Sequence, residues 1–192
     1  NAKWADFFLV MAKIDGDKFS AFLVERDFPG VSIAREEHKM GLKGSSTARV
    51  LLENAEVPAE NLLYEPGKGH QVALNALNLG RFKLASMSIG PARDAIGLAA
   101  QYSLDRKQFG QPIGAFQAVK HRCADMAVRS EAVGAQIAFA AVALRDGRAD
   151  AKFQAIAAKL VAGSYAIISA QENIQVHGAI GATAELSAHL FL

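Results

Sequence analysis

The chain has 192 residues, of which 51% are hydrophobic and 21% charged, with a formal net charge of +2. That length suits one or two compact domains, and the balance is ordinary for a protein that buries a core. A near-neutral charge with scattered lysines and arginines removes the electrostatic case for nucleic acid or an anionic membrane surface. No run reaches the ~18 unbroken apolar residues of a membrane span, so no transmembrane segment is expected. The single cysteine, Cys123, cannot form an intrachain disulfide and reads as a packed thiol.

The start, Asn1-Ala2-Lys3-Trp4, has no apolar signal core, and His189-Leu190-Phe191-Leu192 ends an apolar-periodic segment without a cap. The chain therefore reads as an internal portion of a longer protein. Residues 5 to about 57 read as β. Asp6 to Ala12 is an apolar run, Asp15-Gly16-Asp17 a turn, and Phe19 to Val24 a partly alternating strand. Pro29-Gly30 marks another turn, followed by a short strand at Val31-Ser32-Ile33 and one from Ala48 to Leu52.

From His70 the apolar period becomes helical, carried by Val72, Leu74, Leu77, Phe82, Ile89 and Ile96 among others. Gly90-Pro91 predicts a kink or short break, and the helix should end near Gln108. A second helix is expected from Phe116 to about Leu144, stopped by Gly147. A third is expected from Ala151 to about Gln175, with Asp150 as its N-cap. Abundant alanine allows these helices to approach closely. The change of period puts a boundary near residue 66. The fold class is α+β: a β-domain portion over 1–66, then a helical domain over 67–192.

Two segments carry candidate chemistry. Arg106-Lys107-Gln108-Phe109-Gly110-Gln111-Pro112 leads through Ile113-Gly114-Ala115 to Phe116-Gln117 at a helix–helix junction. It can be a purely structural turn, with the aromatics packed and Arg106 capping carbonyls. It can also hold a planar, phosphate-bearing ligand, since a guanidinium grips phosphate bidentately and Phe109 offers an aromatic face. Gln175-Val176-His177-Gly178-Ala179-Ile180-Gly181 is either a helix stop or a backbone segment whose glycines let a cofactor come close. Asn78 and Arg81 lie on the first long helix. Glu185 is the one acidic residue near the glycine-rich segment, and a base there would need burial beside substrate. His121 and His177 belong to no ligand cluster, so no metal is expected.

The first of these segments closely resembles the signature of acyl-CoA dehydrogenases, a family of FAD flavoproteins. The similarity covers essentially residues 1–192. The family's Gln-x-x-Gly-Gly-x-Gly is met by Gln175 to Gly181, with Ala179 in place of the second glycine. Leu77-Asn78-Leu79-Gly80-Arg81-Phe82 resembles the segment lining the acyl-CoA cavity. Met40 to Ala48 and Val57 to Leu63 resemble structural parts of the middle domain. The resemblance implies a β-sandwich or barrel-like domain, here its C-terminal part, followed by an antiparallel four-helix-bundle-type domain.

It also implies sites. Arg106, Gln108, Phe109 and Gln117, with Gln175, Val176, His177, Gly178 and Ala179, would contact the ADP part of an FAD held mainly by a neighbouring subunit. Asn78 and Arg81 would bind the acyl-CoA substrate. The catalytic base of many members is a glutamate in a Glu-Gly-Thr segment, expected beyond Leu192, with Glu185 a weak candidate. Gly80 stands where isovaleryl-CoA dehydrogenases carry their glutamate, which argues against that branch. The implied activity is α,β-dehydrogenation of an acyl-CoA to a trans-2-enoyl-CoA, with electrons passed to an electron-transfer flavoprotein, in a homodimer or homotetramer. Such a protein is cytoplasmic in a bacterium and in the mitochondrial matrix in a eukaryote. A relative without dehydrogenase activity that completes a partner's FAD site, and a DNA-associated branch, are the alternatives. Residues 77–126 and 153–159 most resemble very-long-chain members, whereas the tail resembles other bacterial branches, so no chain length is assigned.

Overall fold

A computed structural model describes all 192 residues. They pack as two units, Asn1–Ala76 and Leu77–Leu192. In the first, β1 (Phe7–Ile14), β2 (Lys18–Glu25) and β5 (Leu62–Leu63) form an antiparallel sheet in the order β1-β2-β5. β3 (Val31–Glu36) and β4 (Ala48–Leu52) form a second antiparallel ladder, irregular between Ile33 and Glu36. The β1–β2 turn is Asp15-Gly16-Asp17, with positive φ at Asp15 and Gly16, as the turn signal predicts. Ala21 and Val24 of β2 are fully buried, and Val10, Phe22 and Val24 face Leu52 and Val57 across an apolar gap of about 300 Å³.

Polar groups fix the exit from this unit. The buried Ser20 hydroxyl donates to the Lys18 carbonyl and accepts from the Gly67 N–H, both at 2.9 Å. Gly69 then opens α1 (Gly69–Asp105) so close to β2 that a Cβ on it would lie 2.7 Å from the Ser20 Cα. Only glycine fits that crossing.

α1 continues into the second unit, which also holds α2 (Gln117–Arg145) and α3 (Ala151–His177). Three long helices stand here. Their core is built from alanine, as the composition suggested: Ala85, Ala140, Ala158 and Ala162 are buried around Val133, flanked by Phe82, Ile89 and Tyr165. Small side chains let backbones approach, so little apolar volume is needed to fill the space between them. α2 and α3 are apolar enough, at mean hydropathy 1.3 and 1.4, to match a membrane span in length and composition. Core helices of a bundle share that property.

Three expectations about helix limits need correction. Of the kink or short break expected at Gly90-Pro91, the break is absent, since α1 runs on through Pro91. A proline removes one N–H bond, and here the flanking turns hold, with Ala85 and Ala95 buried on either side. α1 also ends at Asp105, before Gln108, because Lys107 and Gln108 pair with Pro112 and Gln111 in a short ladder, β6 (Lys107–Gln108) with β7 (Gln111–Pro112). Asp150 precedes α3 as expected, but its carboxylate makes no capping bond to the helix backbone. It takes the Arg148 guanidinium at 2.9 Å and the Gln154 amide at 3.0 Å instead. Those two donors, Arg148 first, hold the Asp150 carboxyl down at about 2. Gly147, at φ +60, ends α2 as predicted.

Candidate functional site

The two segments singled out in the sequence meet in one place. A groove of about 460 Å³ is lined by Tyr102, Arg106, Gln108 and Ile113 from one side and by Val176 to Ile180 from the other. A second core cluster carries both walls: Ala95, Ala99, Met126 and Val176 are buried together, with Tyr102, Val119 and Cys123 packed on them. Cys123 is the packed thiol expected, and burial pushes it above the ordinary thiol range.

Arg106 is pinned through its backbone. Its N–H donates to the Tyr102 carbonyl at 2.9 Å, and its own carbonyl accepts from the Ile113 N–H at 2.8 Å. Its exposed side chain pairs with no carboxylate. No acidic residue lines the groove. A cationic fork opening on a space without carboxylates suits an anion, and phosphate above all.

The β6–β7 hairpin brings Gln108 to the groove and turns over Phe109-Gly110, at φ +53 and +81. A two-residue hairpin turn of type I′ requires positive φ at both central positions. Glycine adopts it freely; a bulky side chain there is a true outlier. Phe109 nonetheless sits there with 91% of its surface exposed, edge-on to Phe116 at 6.1 Å. Backbone strain of this kind clusters at functional sites.

On the opposite wall α3 ends at Gly178, whose φ +70 and ψ −150 lie in a region open essentially to glycine. Ala179, the departure from the family pattern, is not among the residues at positive φ. The left-handed turn is made one residue earlier, so alanine carries no strain. Ala179→Gly is accordingly expected to leave cofactor affinity within about twofold in the full-length protein, and a clear loss on titration would contradict this geometry.

Other expected site residues lie apart. Gln117 begins α2 and Gln175 is on α3; both are exposed and neither lines the groove. Asn78 and Arg81 form their own pair on α1, with Arg81 Nη1 donating to Asn78 Oδ1 at 2.6 Å. At ~1.5 Å per residue Arg81 stands about 36 Å and Asn78 about 40 Å along the helix from its Asp105 end. Glu185 is exposed in the turn between the 3₁₀ segments Gly178–Ala182 and Ser187–Phe191, its N–H on the Thr183 hydroxyl at 3.3 Å. It lacks the burial a base requires. His121 is exposed on α2.

Sequence reading missed Tyr102 of the groove lining; Ile113, Ile180 and Gly181 lay inside the two candidate segments but were assigned no contact. A Cβ on Gly181 would lie 2.7 Å from His177 Cβ and 2.9 Å from the Ile174 carbonyl oxygen. The four-residue spacings Tyr102–Arg106 and His177–Gly181 were the signals available.

Residues 67–192 match the family model described as the acyl-CoA dehydrogenase C-terminal domain, and residues 1–55 match the middle domain. The chain belongs to the acyl-CoA dehydrogenase family. It is 45% identical to a probable acyl-CoA dehydrogenase of Bacillus subtilis, over 94% of this chain and 34% of that protein. Butyryl-CoA dehydrogenase from Megasphaera elsdenii is 33% identical with a TM-score of 0.88, covering 97% of this chain and 50% of that one. An acyl-CoA dehydrogenase of Bacillus anthracis, solved with FAD, is 38% identical with a TM-score of 0.76, over 100% and 36%. The chain thus spans a third to a half of the length of these relatives.

Proposed function

We propose that the full-length protein is an FAD-dependent acyl-CoA dehydrogenase, and that this chain's groove receives the ADP part of the cofactor. The observation that carries the reading is the convergence of Arg106 and Gln108 with Val176 to Ala179 on one groove without a carboxylate. In this reading Arg106 holds phosphate and the Gly178 backbone gives it close approach, with Phe109 on the exposed hairpin offering a face to adenine. Gln117 and Gln175, exposed outside the groove, contact in this reading the same FAD, held mainly by a neighbouring subunit of a homodimer or homotetramer. Exposed apolar residues along α1 (Leu77, Leu84, Met87) and α3 (Phe153, Ile156, Leu160) support such an assembly.

FAD, when bound, supplies the acceptor for a hydride from the substrate's β-carbon. The α-proton leaves to a carboxylate, the α,β bond becomes a trans double bond, and two electrons leave the acyl-CoA. Hydrogen bonds to the thioester oxygen lower the barrier to α-proton loss. This chain's proposed share of substrate binding is the Asn78–Arg81 pair. No residue of the groove is acidic and Glu185 is exposed, so the base is assigned to none of these residues. Electron-transfer flavoprotein is the proposed acceptor of the electrons.

Anaerobic titration of the purified full-length protein with saturated acyl-CoAs of graded length tests the activity. Bleaching of flavin absorbance by at least one of them is expected. A flavin-bearing protein bleached by none would indicate a relative without dehydrogenase activity, and a protein that stays colourless with added FAD would overturn the cofactor reading.

A further inference from the structure

The three long helices enclose a small cavity of about 10 Å³. Its wall takes Ser88 from α1, Ser130 from α2, and Tyr165 and Ser169 from α3, among apolar neighbours such as Ile89 and Val133. Four hydroxyl-bearing residues from three helices thus border one space beside the alanine-built core, to which Ile89, Val133 and Tyr165 also belong.

Ser130 is 4% exposed, and its Oγ is buried without a hydrogen-bond partner in the chain. Other serines of these helices settle their hydroxyls on the carbonyl one turn back: Ser86 donates to Phe82 at 3.1 Å, Ser88 to Leu84 at 3.0 Å and Ser164 to Leu160 at 3.0 Å. Ser130 does not use that route. A buried hydroxyl left alone forfeits its bonds to water, a net loss for the fold. Alanine, which holds the buried positions 140 and 143 of the same helix, carries no such penalty.

Size and chemistry agree on what satisfies this hydroxyl. A void of ~10–15 Å³ holds a single water when two to four polar partners surround it, whereas apolar voids far larger stay dry. The cavity has the volume for one water and no more. Ser169, 1% exposed, lines it from α3, and the Ser88 hydroxyl keeps lone pairs to accept a bond after donating to Leu84.

We propose that this cavity is a binding site for one structural water, which hydrogen-bonds Ser130 Oγ and bridges α2 to Ser169 of α3. The water links the helices as a pair of polar side chains would, without bulk that pushes alanine-packed backbones apart. The site is separate from the groove at Arg106, with which it shares no lining residue, and does not depend on the nucleotide reading.

The crystal structure of the full-length protein, at a resolution that places ordered waters, is the direct test. One water within hydrogen-bond distance of both Ser130 Oγ and Ser169 Oγ is expected, and no water there overturns the proposal. Melting temperatures of full-length variants give an independent reading. Ser164→Ala, on the exposed side of α3, calibrates the gain that alanine brings to any helix interior. If a water satisfies Ser130, Ser130→Ala deletes one of its partners and should melt roughly 2–4 °C below that control. If the hydroxyl is unsatisfied, the same change relieves a penalty, and melting at or above the control contradicts the site. Ser169→Ala should also lower the melting temperature. The double variant should then lose less than the sum of the two, because both hydroxyls act through one water. Additive losses would mean that each serine acts alone and would overturn the bridge.

Discussion

Arg106→Ala is expected to weaken FAD binding to the full-length protein roughly 10- to 150-fold, the range for hydrogen bonds to a charged group. The guanidinium has no carboxylate partner to compete for it, so removing it deletes a ligand contact without breaking an ion pair. The backbone of Arg106 stays pinned by Tyr102 and Ile113, and these bonds do not involve the side chain. The loss should therefore show in flavin content and in titration of the apoprotein, with little change in melting temperature. Arg106→Lys should fall between, because an ammonium keeps the charge and loses the planar fork. Undiminished flavin occupancy in the alanine variant would remove Arg106 from the site.

Gly181→Ala has the opposite signature, affecting fold and site together. The added methyl would stand 2.7 Å from His177 Cβ and 2.9 Å from the Ile174 carbonyl oxygen. Neither atom is the free end of a flexible side chain, so α3's last turn or the following segment must move. Overpacking of this kind costs about 1–3 kcal/mol. His177, Gly178 and Ala179 form that wall of the groove, so cofactor affinity should drop with stability. Thermal melting and FAD titration of the same variant check both effects. Wild-type values in both would mean the segment runs differently. Ala179→Gly, two residues away, provides the contrast: same segment, no close neighbour implicated and no expected loss.

The β-strands and long helices were legible because apolar periodicity and turn residues agreed. Ala48–Leu52 was read to the residue, and α2 and α3 to within two residues at either end. Alanine told of close helix packing before any contact was seen. Legibility failed where tertiary structure overrode local chemistry. Pro91 reads as a breaker, yet packing on both sides carries α1 past it. Lys107 and Gln108 continue a helical composition, yet the Phe109-Gly110 turn draws them into a ladder.

The site divides in the same way. Arg106, Gln108 and the Val176 to Ala179 run were found from motif and chemistry, and the fold brings them to one groove. Their meeting could not be read, because it depends on the buried cluster of Ala95, Ala99, Met126 and Val176 setting α1 against α3. A sequence does not show which residue of Gly178-Ala179 takes positive φ; the backbone puts that burden on Gly178. Tyr102 escaped notice because an aromatic at a helix end looks like core until its partner, His177, is placed 4.3 Å away.

The central claim is that this groove holds the ADP part of a neighbouring subunit's FAD, and the structure of the full-length protein with FAD bound tests it most directly. The account predicts a phosphate oxygen within hydrogen-bond distance of Arg106, the Gly178 backbone beside it, and the flavin end running into another subunit. An FAD fully bound elsewhere, with the groove between Arg106 and Gly178 open to solvent, would contradict it.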